Sequence, residues 1–337
     1  MTKIKLFKSK YLPIWLALML WAPGLPGLST AAAAQFSFAA LGDTPYHLPG
    51  DFERFERLIA RINGARPAFT IHVGDIKPGN TRCDDEYFAQ ILDMFATFTA
   101  PLIYTPGDNE WTDCHRPDNG GFDPIERLAK IRELFFANPA QSLGREKLAL
   151  EHQGADARYA NYVENRRWER EGVLFSTLHI VGSNNNLQRN QASVSEYLTR
   201  NTANLAWMAA TFTRAKEQNA RAVVLAFQAD LGWELDGFDD RRAGFNDTLI
   251  ALRRHAREFA KPILIVHGDR HRFVVDKPLR QNRQLIPNVT RLMVFGDVEV
   301  HGVKITVDTD NPDVFSFSTL MVPENLPAAA LAPKPKP

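Results

Sequence analysis

Cysteine is scarce: Cys83 and Cys114 are the two in 337 residues, and no Cys-x-x-Cys pair is present. That argues against thiolate zinc sites of the ribbon or finger kind. No Gly-x-Ser-x-Gly elbow occurs, so a serine hydrolase of that design is excluded. No P-loop or Gly-x-Gly-x-x-Gly fingerprint occurs either. Charge of one sign is also lacking. Forty Lys and Arg against 39 Asp and Glu leave a net +1, which points to neither nucleic acid nor an anionic membrane surface. A small phosphorylated substrate remains compatible with that balance.

The composition, 45% apolar and 23% charged, suits a large α/β chain with a sizeable core. No sequence repeat and no internal linker are visible, so a single domain is expected over 35–325. The segment 1–34 reads as a signal peptide: Lys3, Lys5, Lys8 and Lys10 lead an apolar run from Tyr11 to Leu20, and Ala31–Ala34 offer small residues for cleavage. A retained anchor is the rival, but the run is short, and Pro23 and Pro26 break the chain just beyond it. Cleavage near Ala34 leaves no stable membrane anchor and places the protein in a periplasm or outside the cell. In such a compartment the even cysteine pair reads as a Cys83–Cys114 disulfide. The tail 326–337, built of Ala, Pro, Leu and Lys, reads as disordered.

The most informative stretch is Thr105-Pro106-Gly107-Asp108-Asn109-Glu110-Trp111. It comes after the apolar run Pro101–Tyr104, a buried strand by pattern, and puts an acid, an amide and a second acid just past a glycine. The same arrangement recurs. Apolar runs end in Gly42-Asp43, Gly74-Asp75 and Gly268-Asp269, and another ends in Gln228 without the glycine. Helical periods separate the runs: Phe52 to Ile62, Phe88 to Phe95, Pro124 to Phe136, Ser195 to Gln218 and Phe245 to Phe259. Strands alternating with helices imply parallel pairing, so Asp43, Asp75, Asp108 and Asp269 converge on one sheet edge.

Carboxylates gathered within a few ångströms repel, and divalent cations relieve the conflict. His271, in His267-Gly268-Asp269-Arg270-His271, adds an imidazole ligand. A cation pair there would clamp a phosphoryl group. Asn109 is the candidate to polarise it, and Lys77, Arg82, Arg116 and Arg270 are candidates to offset substrate charge. His72 and His267, each close before a glycine on a buried run, read as core residues. Asn184, Asn185 and Asn186 are candidates to line the site, though an asparagine run is more often simply a loop.

In this order, Gly-Asp, Gly-Asp, Gly-Asp-Asn-Glu and Gly-x-x-His, the chain resembles the calcineurin-like metallophosphoesterase superfamily from about Phe36 to Phe317. The resemblance implies an α/β fold, a mixed β-sandwich core flanked by helices. It implies metal ligands at Asp43, Asp75 (bridging), Asp108, Gln228, Asp269 and His271, with Asn109 where the family places its proton donor. It departs from the family at Pro45, Gln228 and Asp269, which stand where histidines are expected; Tyr46 or His47 is the candidate to replace the first. This oxygen-rich set suits Mn, Mg or Ca better than Zn, with Fe also in range, and one or two divalent ions are expected. The implied activity is an exported phosphoesterase in which a hydroxide held by metal attacks phosphorus, with Asn109 and Arg270 stabilising the developing charge. The alternative is a non-catalytic exported binding protein that keeps the fold with a degenerate metal site. Nothing in the residues separates monoester from diester or sets the oligomeric state.

Overall fold

The computed structural model describes residues 1–2 and 35–326. Most of the expected signal peptide and all but the first residue of the expected tail lie outside the described residues. The described residues 35–326 belong to one compact unit. No helix among the described residues is long and apolar enough to cross a membrane.

In chain order the strands and helices are β1 (Phe36–Leu41), α1 (Gly50–Ala65), β2 (Thr70–His72), α2 (Asp85–Phe95), β3 (Leu102–Tyr104) and α3 (Pro124–Phe135). Then come β4 (Glu151–His152), β5 (Arg166–Arg170), β6 (Val173–Thr177), α4 (Gln191–Glu217), β7 (Ala222–Ala226), α5 (Asn246–Phe259) and β8 (Ile263–His267). The chain closes with β9 (Val274–Asp276), β10 (Arg280–Gln281), β11 (Gln284–Leu285), β12 (Val289–Met293), β13 (Gly302–Val307) and β14 (Phe315–Leu320).

Two mixed sheets carry the fold. One is five-stranded in the order β14-β13-β1-β2-β3; the other is seven-stranded in the order β4-β5-β6-β7-β8-β12-β9. The strands β1, β2 and β3 are mutually parallel, as the alternation of strand and helix requires. So are β6, β7, β8 and β12.

Side-chain alternation explains why these strands read as unbroken apolar runs. Phe38 and Ala40 of β1 face the second sheet, while Ala39 and Leu41 face α1 and α2. Val224, Ala226, Leu264 and Val266 fill the space between the sheets; Val223, Leu225, Ile263 and Ile265 lie under α4 and α5. Both faces are covered, so both parities are apolar. The molecule is thus layered helix, sheet, sheet, helix. Between the sheets, Phe38 and Phe69 stack at 5.1 Å, and Phe175 meets both edge-on at 5.4 and 5.1 Å. Each such pair adds about 0.5–1.5 kcal/mol beyond its area. The group lies toward the end of β1 away from Asp43.

The helices obey their apolar spacing. Phe55, Leu58, Ile59 and Ile62 give α1 one buried face, and Asp51 and Glu53 sit in its first turn, where the helix dipole favours acids. Helix α4 opens on a capping box between Asn190 and Ser193.

Candidate metal centre

Strands β1, β2, β3 and β8 end at one edge, and their Gly-Asp pairs fold over it. The glycine does more than make a turn. A Cβ on Gly107 would stand 2.1 Å from Asp75 Oδ1, and one on Gly268 would stand 2.0 Å from Asp43 Oδ2. Each glycine therefore opens the space that a neighbouring carboxylate fills. The acids take up the strain: Asp43, Asp75 and Asp269 all have left-handed φ, at 50°, 55° and 77°, a region that Asp tolerates better than most residues.

Ligand atoms of Asp43, Asp75 and His271 lie within 4.8 Å of one another. Asp108 and Asp269 stand beside them: a Cβ on Gly182 would meet Asp108 Oδ1 at 2.5 Å and Asp269 Oδ1 at 2.8 Å. Asp43 Oδ2 and Asp108 Oδ1 are buried with no hydrogen-bond partner. An orphaned carboxylate oxygen is costly, and a cation beside it removes that cost. Burial, then the charges of Asp108, Glu110, Asp43 and Asp269, hold the Asp75 carboxyl well above the usual carboxylate range. Burial does the same to Asp43 and Asp108, and it pushes Asp269 up to about 6. His271 is pushed the other way by burial, toward the neutral ring that ligates metals. The donor set fits a divalent cation.

Asp75 also collects protein donors. Its Oδ2 accepts from Tyr46 Oη at 2.9 Å, Asn109 Nδ2 at 3.0 Å and Gln228 Nε2 at 3.1 Å, and its Oδ1 accepts from Asn109 N at 3.2 Å. The orientation of the Gln228 amide is set by its other end, where Oε1 accepts from Gly182 N at 2.6 Å. Burial holds the Tyr46 phenol protonated, so it too is a donor. Glu110 Oε1 ties the loop below by accepting from Gly107 N at 2.6 Å, Asp75 N at 3.2 Å and Tyr104 Oη at 2.8 Å.

Cys83 and Cys114 form a disulfide, Cα to Cα 5.8 Å, that joins the loops after Asp75 and Asp108. A loop of this length makes such a bridge worth about 3–4 kcal/mol.

The comparisons with known proteins fall entirely on structure. No protein-family profile matches the sequence, and no curated protein matches it either. A dimetal phosphatase from Danio rerio superposes with a TM-score of 0.53 at 11% identity, over 85% of this chain and 98% of that one. A purple acid phosphatase from yellow lupin seeds gives 0.47 at 12% identity, over 90% and 57%. GAP50, the anchor in the inner membrane complex of Plasmodium, gives 0.48 at 11% identity, over 86% and 89%. The chain has the calcineurin-like metallophosphoesterase fold.

On this metallophosphoesterase fold the residues singled out by sequence divide. Asp43, Asp75, Asp108, Asp269, His271, Gln228 and Asn109 share the edge, with Gln228 facing Asp75 by its amide nitrogen. Arg270 is exposed, 3.7 Å from Asp230. Arg116 pairs with Asp113 at 2.7 Å, and its Nη1 would lie 3.2 Å from a Cβ on Gly79. Lys77 is no substrate cation: it is fully buried and donates to the carbonyls of Pro78 and Asn109 at 2.8 and 3.0 Å. Burial pushes its pKa down to about 8. Arg82 is an exposed partner of Asp84. Of the two candidates after Pro45, Tyr46 turns inward and His47 turns out to Asp297 at 2.8 Å. His72 and His267 are core residues, fully buried.

Two site features carry little warning in the sequence. Ser183 Oγ donates to Asp108 Oδ2 at 2.7 Å and lies 2.9 Å from Asp113 Oδ1. It is presented by an unusual turn: Ser183, Asn184, Asn185 and Asn186 all have φ between 49° and 64°. Left-handed backbone costs roughly 1–2 kcal/mol per residue, least for Asn. The asparagines do not line the site. They hold the turn, Asn184 Oδ1 on Gly244 N at 2.8 Å and Asn185 Oδ1 on the buried Arg200 Nη1 at 2.6 Å. The run of three asparagines after a glycine is the one signal that foretells the turn.

Proposed function

We propose that the protein is an exported, metal-dependent phosphoric ester hydrolase acting on a small phosphorylated substrate. One observation carries the reading: Asp43, Asp75 and His271 converge within 4.8 Å, while buried oxygens of Asp43 and Asp108 lack partners. The fold supports it, since the dimetal phosphatase shares it. The disulfide fits an oxidising compartment.

Asp43, Asp75 and His271 would hold one divalent ion, and Asp108 and Asp269 would offer carboxylates for a second. When bound, such ions supply Lewis acidity to a phosphoryl oxygen and lower the pKa of water. The remaining roles fall to the chain itself. Asn109 Nδ2 donates its two hydrogens to Tyr46 Oη at 2.9 Å and Asp75 Oδ2 at 3.0 Å, and it polarises a substrate oxygen at that edge by giving up one of these bonds. Ser183 holds the Asp108 carboxylate in one rotamer. Arg270, exposed and loosely paired, swings to the anionic substrate and stabilises charge that grows in the transition state.

The experiment is hydrolysis of p-nitrophenyl phosphate and bis(p-nitrophenyl) phosphate by protein reconstituted with Mn, Fe, Mg, Ca or Zn. Turnover that requires metal and falls at least about 100-fold in Asp75→Asn supports the reading, a loss of about 2.7 kcal/mol in transition-state stabilisation. No turnover of either ester with any metal contradicts it.

A second reading has its own observation. Three side-chain donors already occupy Asp75 Oδ2, which suits a binding protein whose amides and phenol stand in for a cation. Such a protein binds phosphate at this edge and turns nothing over.

A further inference from the structure

Several surface arginines have carboxylate partners at hand: Arg57 with Glu53, Arg82 with Asp84, Arg158 with Asp156, Arg241 with Asp239. One groove gathers six arginines that have none. It has a volume of about 990 Å³ and is lined by Arg242, Arg253, Arg254, Arg257, Arg280 and Arg283. Among the described residues, none of these six makes an ion pair. The two acids at the rim are engaged elsewhere. Asp236 Oδ1 accepts from Phe238 N at 2.9 Å, and Glu258 pairs with Lys216 at 2.8 Å.

Helix α5 builds one wall. Ile250, Arg253, Arg254 and Arg257 keep the i, i+3, i+4, i+7 spacing and share its outer face, while Leu249, Leu252, Ala256 and Phe259 are buried on the other. The turn of the β10–β11 hairpin builds a second wall and supplies Arg283. The loop before α5 supplies the third. Arg242 is anchored there, with Nη1 donating to Leu235 O at 2.7 Å, and Arg253 Nε donates to Arg280 O at 2.8 Å. The guanidiniums are thus partly ordered before any ligand arrives. Like charges held together repel, and an anion bound between them removes the repulsion.

We propose that this groove is a binding site for a soluble, polyphosphorylated small molecule. Guanidinium forks match phosphate oxygens in pairs, and their fixed planes favour bidentate contacts that single ammonium groups cannot make. The concave shape selects a compact ligand over an extended one. Phe238, 97% exposed, and Ile250, 62% exposed, give the rim an apolar surface for an organic portion. None of the lining residues belongs to the carboxylate cluster, so the site stands whether or not that cluster hydrolyses anything.

The test is calorimetric titration of the full-length protein with sodium tripolyphosphate, beside Arg254→Glu/Arg257→Glu, Arg158→Glu and Asp75→Asn. Both reversed arginines are exposed on a helix surface, and thermal melts check that the fold persists. Binding should weaken at least about tenfold, equivalent to 1.4 kcal/mol, in the double reversal. It should hold in Arg158→Glu and in Asp75→Asn, and it should weaken as salt is raised. Absence of binding overturns the proposal, as does binding indifferent to the double reversal or lost in Asp75→Asn. Recruitment to cardiolipin-containing phosphatidylcholine vesicles without tripolyphosphate binding also overturns it, by making the groove a lipid contact.

Discussion

Gln228 donates to Asp75 Oδ2 at 3.1 Å and accepts from Gly182 N at 2.6 Å, so the end of β7 is tied both to the carboxylate cluster and to the turn that carries Ser183. Its amide nitrogen does for Asp75 what a positive charge would do, at lower strength. Gln228→Glu keeps an oxygen for Gly182 and replaces the donor with a second carboxylate. The expected outcome has two parts. Without metal the melting temperature falls, because another buried acid joins Asp75. With Mn the rise in melting temperature exceeds that of the unaltered protein, because the ion gains a ligand. Equal Mn stabilisation of the two proteins would show that Gln228 does not border the metal position.

The left-handed turn makes a separate prediction. Asn185→Ala loses the acceptor for Arg200 and leaves a Cβ-bearing residue at a φ of 55° without its local hydrogen bonds. A loss of about 2–4 kcal/mol is expected in urea unfolding. Asn185→Gly forfeits the same hydrogen bonds but relieves the backbone, so it should lose less by about 1 kcal/mol. Equal losses would mean that backbone conformation is not what selects asparagine there.

His72 links stability to pH. Burial pushes its pKa from an ordinary 6.5 down to about 3. The rings that face it are Phe55 from α1, Phe95 from α2 and Tyr104 from β3, and Tyr104 is held protonated by burial. The folded ring therefore stays neutral where the unfolded one takes up a proton. The contribution of His72 to stability is whole above pH 6.5 and is lost progressively as pH falls toward 3, at up to about 1.4 kcal/mol per unit. In His72→Gln the fall in unfolding free energy between about pH 6.5 and 4 should be shallower by up to one proton. An unchanged slope would show that the unfolded chain does not protonate this residue differently.

Much of the architecture was legible because β1, β2, β3, β7 and β8 are covered on both faces and so read as apolar runs of either parity. Parallel pairing then brought Asp43, Asp75, Asp108 and Asp269 to one edge on the strength of the pattern alone. Individual side-chain contacts outside that pattern could not be read. Lys77 looks like a free cation beside a polar loop, yet it is buried on carbonyls of Pro78 and Asn109. Ser183 reaches Asp108 across 75 positions because a strained turn aims it. Even the glycines of the Gly-Asp pairs serve a purpose that local turn rules do not contain. They leave room for a carboxylate from another strand.

We propose the carboxylate cluster, above all, as a metal site. Elemental mass spectrometry of the protein, purified without chelator beside Asp75→Asn, tests this most directly. One or two equivalents of Mn, Fe, Mg, Ca or Zn are expected, lost in a variant that still melts cooperatively. No metal in the unaltered protein, and none taken up on reconstitution, would contradict the metal site and leave a metallophosphoesterase fold used for binding.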